Sequence, residues 1–314
     1  MKLPELKIGH HVAKLPIMQG GMAIRISTAP LAAAVANEGG IGLIAVTGMS
    51  LEELREEIRE ARRRTKGIIG INCLFAAREF PSLVKTAIDE GIDLVVSGAG
   101  FSRDMFQWGK ESGTPIVPIV SSARLARMAQ KLGAAAVVVE GKEAGGHLGT
   151  DEPMKKILPE VVEAVTIPVI AAGGVIDGHD IVEVLKMGAS GVQMGTRFAA
   201  SEESAAAPEF KELYLRSNHD DVVLIDSPVG LPGRGLKNPF WHKLTDGVDV
   251  SPKNCVGCLK HCSRWFCIVD ALDKAQKGDM ETGLVFSGEH VERIKEILPV
   301  RQIIQNLLQE VEAY

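Results

Sequence analysis

Short apolar runs recur along the first two hundred residues. Each stops at or beside Gly, Asn, Ser or Glu, and most lead into a longer stretch in which apolar residues return every three or four positions. The runs are Leu15–Gln19, Ile41–Val46, Ile68–Cys73, Leu94–Ser97, Ile116–Val120, Ala136–Glu140, Val169–Ala172 and Gly191–Met194. Their hydrophobicity is nearly continuous, which is what a strand buried on both faces requires. Ala29–Asn37, Leu51–Arg63, Pro81–Glu90, Ser122–Leu132 and Asp180–Met187 carry the helical period. Gly39, Gly91, Gly133 and Gly188 follow these stretches where a left-handed helix end is expected. Strand, helix and strand in this order pair in parallel through right-handed crossovers. Eight units predict an α/β fold, a closed (β/α)8 TIM barrel, over the competing open doubly wound sheet.

After Met194 the rhythm stops. The expected division is a barrel over 1–200, a helical and irregular insertion over 201–250 on the active-site side, and a cysteine-containing helical appendage over 251–314. Pro228–Gly233 is rich in turn residues. The last helical stretch, Glu289–Val311, should kink or break at Pro299, with its apolar stripe packed on the barrel.

Composition narrows the function classes. The 314 residues are 46% hydrophobic and 24% charged, with 33 glycines and only 4% aromatics. Scarce rings argue against a stacking platform for nucleic acid, and a net charge of −5 offers no field for a polyanion. Arg62-Arg63-Arg64 should end an exposed helix, where cations suit the dipole. Neither a signal peptide nor an apolar run of membrane-spanning length is present, so the expectation is a cytoplasmic protein free of structural disulfides.

In a barrel, chemistry sits where the strands end. Strand seven ends at Gly173-Gly174 and strand eight at Gly195-Thr196. Adjacent glycine turns at these two strands suit a phosphate, because backbone N–H groups can approach it closely. His147 closes the Gly-rich stretch after strand six and is the residue best suited to exchange a proton near neutrality. The other histidines, His290 among them, read as surface or core residues.

Pro16-Ile17-Met18-Gln19-Gly20-Gly21-Met22, Gly70-Ile71-Asn72, Glu140–His147, Ala171–Gly174 and Gln193–Phe198 together resemble the nitronate monooxygenase family, formerly 2-nitropropane dioxygenases. FMN-dependent enoyl-ACP reductases share that superfamily. The resemblance covers about residues 10–205 and implies FMN at the barrel mouth, with Gly21, Met22, Asn72, Glu140, Gly145, Gly146, Gly173, Gly174, Gln193, Gly195 and Thr196 around it and His147 as the catalytic residue. Oxidation of alkyl nitronates is the leading expectation. An NAD(P)H-dependent reductase of an enoyl thioester or a quinone is the runner-up. A flavin-binding redox sensor or partner-docking protein is the reading from another class. A homodimer is left open.

Cys255, Cys258, Cys262 and Cys267 form a C-x2-C-x3-C-x4-C segment. Four soft ligands so close in sequence can converge on one metal, as an iron–sulfur cluster or, second, zinc. The first three resemble the cluster ligands of iron–sulfur flavin reductases related to 2,4-dienoyl-CoA reductase. Inert thiols in a packed segment are the alternative. Cys73 reads as a buried small hydrophobe.

Overall fold

The computed structural model describes residues 2–314. Eight parallel strands close into a barrel: β1 (Ile17–Gln19), β2 (Ile41–Ala45), β3 (Ile68–Leu74), β4 (Leu94–Gly98), β5 (Ile116–Val120), β6 (Val137–Glu140), β7 (Val169–Ala172) and β8 (Gly191–Met194). They are the eight apolar runs of the sequence, in chain order around the ring.

Two layers explain why these strands have little polar alternation. Met18, Ile41, Leu43, Leu94, Val96, Val117, Val138 and Ile170 fill the barrel interior, and Leu6, Ile8 and Ala13 of an N-terminal hairpin join them. Ile44, Ile69, Ile71, Val95, Val139 and Val192 face the surrounding helices instead. Both faces are buried, so both must be apolar. Glycine enters where backbones crowd. A Cβ on Gly42 would stand 1.9 Å from the carbonyl oxygen of Ala32, so β2 can meet its helix only with no side chain there.

The β1–β2 seam has one paired position, Met18 with Ile41. The buried amide of Gln19 extends it. Its Oε1 accepts from Leu43 N at 3.1 Å and its Nε2 donates to Leu43 O at 3.2 Å, supplying what the ladder lacks.

The helices are α1 (Ala29–Asn37), α2 (Leu51–Arg64), α3 (Phe80–Asp89), α4 (Arg103–Ser112), α5 (Ala123–Leu132), α6 (Met154–Ala164) and α7 (Gly178–Lys186). Ser50, Ser102 and Ser122 accept from the third helical N–H of their helices, and Asp177 makes a capping box with Asp180. Gly39, Gly91, Gly133 and Gly188 all have positive φ. Arg62-Arg63-Arg64 form the last turn of α2, as expected. Two helices lie outside the periodic stretches singled out in the sequence: α4, which contains Gly109, and α6, which contains Pro159.

The C-terminal segment departs from the expected division. α8 (Pro208–Arg216), a hairpin of β9 (Val222–Asp226) and β10 (Pro232–Leu236), α9 (Pro239–Thr245) and α10 (Ile268–Gln276) follow β8. The final helix, α11 (Val300–Glu312), then packs against both α7 and α1. It takes the eighth place in the helical ring, with Val300, Ile303, Ile304, Leu307 and Val311 in the main core. Residues 201–299 are therefore an insertion between β8 and its helix, rather than an insertion followed by a separate appendage. Pro299 is the N-cap of α11, so the stretch breaks there and the helix starts after it rather than kinking. Among the described residues no helix is long and apolar enough to cross a membrane.

Candidate active site

A single cavity opens at the C-terminal ends of the strands, and every residue expected to surround a cofactor lines it. Gly21 and Met22 follow β1, Asn72 lies on β3, and Glu140 ends β6. Gly145, Gly146 and His147 come from the loop after β6. Gly173 and Gly174 follow β7, Gln193 lies on β8, and Gly195 and Thr196 follow it.

His147 is held by the insertion. Gly146 and His147 pair with Arg234 and Gly233 as a third strand beside the β9–β10 hairpin, and Leu148 N donates to Pro232 O at 2.8 Å. His147 Nε2 lies 2.8 Å from Ser227 Oγ at the hairpin turn, and its ring stands edge-on to Phe286 at 5.2 Å. Burial pushes the imidazole down to about 4, so it is neutral at pH 7. Burial acts oppositely on Glu140, raising its carboxyl to about 8, so this group is predominantly protonated at pH 7.

The glycines make a cradle of bare backbone. Gly173 and Gly174 have φ of +98° and +76°. A Cβ on Gly145 would stand 2.6 Å from the carbonyl carbon of Ser287, and one on Gly21 2.2 Å from Asn72 Cβ. Gln193 Oε1 is buried without a hydrogen-bond partner. A buried acceptor left unmatched costs about 1–3 kcal/mol, and an N–H from a bound group would satisfy it. The isoalloxazine ring of FMN presents one N–H among several acceptors, and protonated Glu140 can donate to the latter. The donor set present fits FMN.

Sequence reasoning missed the loop that closes this site. Ser287, Gly288, Glu289 and His290 line the cavity, and His290, read as a surface or core residue, stands with its Cδ2 3.3 Å from where a Gly174 Cβ would be. Thr196 Oγ1 accepts from Gly288 N at 3.0 Å, tying this loop to the end of β8. The only sign in the sequence is the Ser287-Gly288 turn pair. Arg234 and Lys237 do not line the cavity. The Arg234 guanidinium instead donates to Lys142 O at 2.7 and 3.0 Å and holds the β6 loop in place.

A family model described as nitronate monooxygenase matches residues 5–81 and 75–310. The chain belongs to the nitronate monooxygenase family. It is an oxidoreductase of that family, and the match reaches past the barrel into the insertion and α11. The nitronate monooxygenase fold is shared with FabK from Thermotoga maritima at 37% identity and a TM-score of 0.87, covering 96% of this chain and 94% of that one. It is shared also with a nitroalkane oxidase from Streptomyces ansochromogenes at 25% identity and a TM-score of 0.83, covering 96% of both chains. A 5-hydroxy-7a-methyl-1-oxo-octahydro-1H-indene-4-carboxyl-CoA dehydrogenase of Mycobacterium tuberculosis is 34% identical over 235 residues. That match spans 74% of this chain and 66% of the mycobacterial protein.

The cysteines divide as their sequence positions suggest. Cys73 is fully buried on β3, and burial raises its thiol to about 12. Cys255 and Cys262 are exposed, Cys258 and Cys267 half-buried, and none is in a disulfide. Burial raises the Cys258 thiol, and its neighbours Cys267, Cys262 and Cys255 add to the shift.

Proposed function

We propose that this protein is an FMN-dependent reductase that uses NAD(P)H to reduce a carbon–carbon double bond conjugated to a thioester carbonyl. The observation that carries the reading is the charge state of the cavity. Among the described residues no lysine or arginine lines it, while Glu140, Glu143 and Glu289 do. Of the two histidines that line it, His147 is neutral near pH 7 because burial disfavours the imidazolium. A nitronate is an anion and would enter this site without a lysine or arginine to meet it. A conjugated double bond is neutral and needs only polarisation. The order of the two chemistries expected from the sequence is thereby reversed. The motif resemblance to enoyl-ACP reductases and the full-length likeness to Thermotoga maritima FabK support the same choice.

FMN, when bound, would supply two-electron hydride chemistry between a nicotinamide and the β-carbon of the double bond. The chain's own residues do the rest. The glycine turns after β7 and β8 offer N–H groups to the FMN phosphate, the role expected of those ends of a barrel. His147, as neutral imidazole, donates a hydrogen bond to the thioester oxygen as negative charge develops there, with Ser227 fixing the ring. The proton on the α-carbon comes from solvent. Ile24, Val229, Leu272 and Phe286 give the acyl chain an apolar wall.

The test is anaerobic reduction of the flavin-loaded protein. NADPH or NADH should bleach the flavin bands, and an enoyl thioester should restore them with one saturated product per flavin. Flavin untouched by either nucleotide but reduced by an alkyl nitronate would reject this reading for the nitronate one.

A further inference from the structure

Cys255, Cys258, Cys262 and Cys267 all line one surface pocket beside the active-site cavity. The segment that carries them, 251–267, contains neither helix nor strand. It is nonetheless pinned. Arg78 N donates to Cys258 O at 2.9 Å, Lys260 N to Ala76 O at 2.9 Å, and Ser263 N to Pro228 O at 3.1 Å. Leu259 and Phe266 are buried as anchors between the cysteines. Four cysteines thus line one space on a loop whose backbone is held by its neighbours.

Among the described residues, no three cysteine sulfurs lie within 4.8 Å of one another. A tetrahedral zinc site with Zn–S of about 2.3 Å needs every pair about 3.8 Å apart. A polynuclear iron–sulfide core stands between its thiolates and holds them more widely. Arg78 and Arg264 line the same pocket and offset the negative charge of a thiolate-bound core.

Position adds a function. Val229, Leu259 and Ile268 line both this pocket and the active-site cavity, so one layer of side chains separates the two. Leu259 directly follows Cys258 and Ile268 directly follows Cys267. A site serving only to stabilise the loop would not need to share its wall with the cavity.

We infer that these four cysteines hold an iron–sulfur cluster that passes electrons singly to the flavin cavity, an inference that rests on FMN occupying that cavity. The electron source is a one-electron carrier protein, which is oxidised as the cluster is reduced. Two such electrons and two solvent protons equal the hydride and proton of the nicotinamide route, so the reduction of the double bond stays balanced.

The experiment is analysis of the full-length protein purified anaerobically and, separately, reconstituted with ferrous iron and sulfide. Iron and acid-labile sulfide should be present together. The dithionite-reduced protein should give a low-temperature paramagnetic signal that Cys255→Ser and Cys262→Ser abolish while FMN content stays at its wild-type level. Both thiols are exposed, so neither substitution disturbs a core. Zinc in place of iron, failure to take up iron and sulfide on reconstitution, or an unaltered signal in both variants would overturn the inference. Flavin content and nicotinamide bleaching are read on the same samples, so loss of the cluster and failure of the FMN reading are distinguishable.

Discussion

Replacing Glu140 by Gln should stabilise the flavin-free protein at pH 7 and lose that advantage in acid. In the folded protein burial raises this carboxyl to about 8 from its ordinary 4.5. Above 4.5 the unfolded chain ionises and the folded one does not, so folding must hold a proton that the unfolded state releases. The penalty is absent below 4.5, grows as pH rises, and saturates above about 8. At pH 7 two and a half units separate the solution from the unfolded value. At about 1.4 kcal/mol per unit the cost approaches about 3 kcal/mol, an upper bound because the carboxyl borders an open mouth. Gln keeps the shape and cannot ionise, so the part of its effect that changes with pH isolates this group. Urea unfolding of both proteins at pH 7 and pH 4 measures it, and the infrared band of a protonated carboxyl at pH 7 should vanish in the variant. Equal stability differences at the two pH values, or no such band in the wild type, would show that Glu140 is ionised and that its place in the flavin contact is wrongly argued.

Two other outcomes follow from the same geometry. His147 is neutral down to about pH 4, so turnover should stay level from pH 7 to that region; an acid limb near 6.5 would contradict the desolvated ring, and His147→Ala should depress turnover while flavin stays bound. Gly145→Ala sets a Cβ 2.6 Å from the Ser287 backbone and should weaken FMN binding by about fivefold or more, given about 1–3 kcal/mol for overpacking. Gly91→Ala, with positive φ but nothing within 4 Å, is the control: flavin fluorescence titration should show its affinity unchanged.

The barrel was legible because its strands must be apolar on both faces, and a run such as Val137-Val138-Val139 has no other comfortable place. The twelve residues that the family resemblance implied all line one cavity, because the matched motifs lie at strand ends. What escaped had a different cause. Phe286–His290 reaches the cavity from more than ninety residues beyond β8, and nothing local in Ser287-Gly288 says which cavity a turn will meet. Helix α11 carries an ordinary amphipathic stripe, and a stripe does not name its partner; only the vacant place between α7 and α1 does. α6 was passed over because Pro159 interrupts its pattern, although a proline in the first two turns sacrifices few helical hydrogen bonds.

The long insertion also dictates an order of assembly. While the chain is being made, β1 through β8 leave the ribosome first, yet the gap between α7 and α1 persists until α11 emerges a hundred residues later. The seam next to Gly178 stays open in the nascent chain, because Glu310 supplies the acceptor for Gly178 N and the backbone of Leu307 walls that glycine. The loop of Ser287–His290 that lines the cavity is completed only just before that helix. Completion of the cavity and closure of the ring are thus both late events, and a chain cut short before residue 300 leaves the ring open.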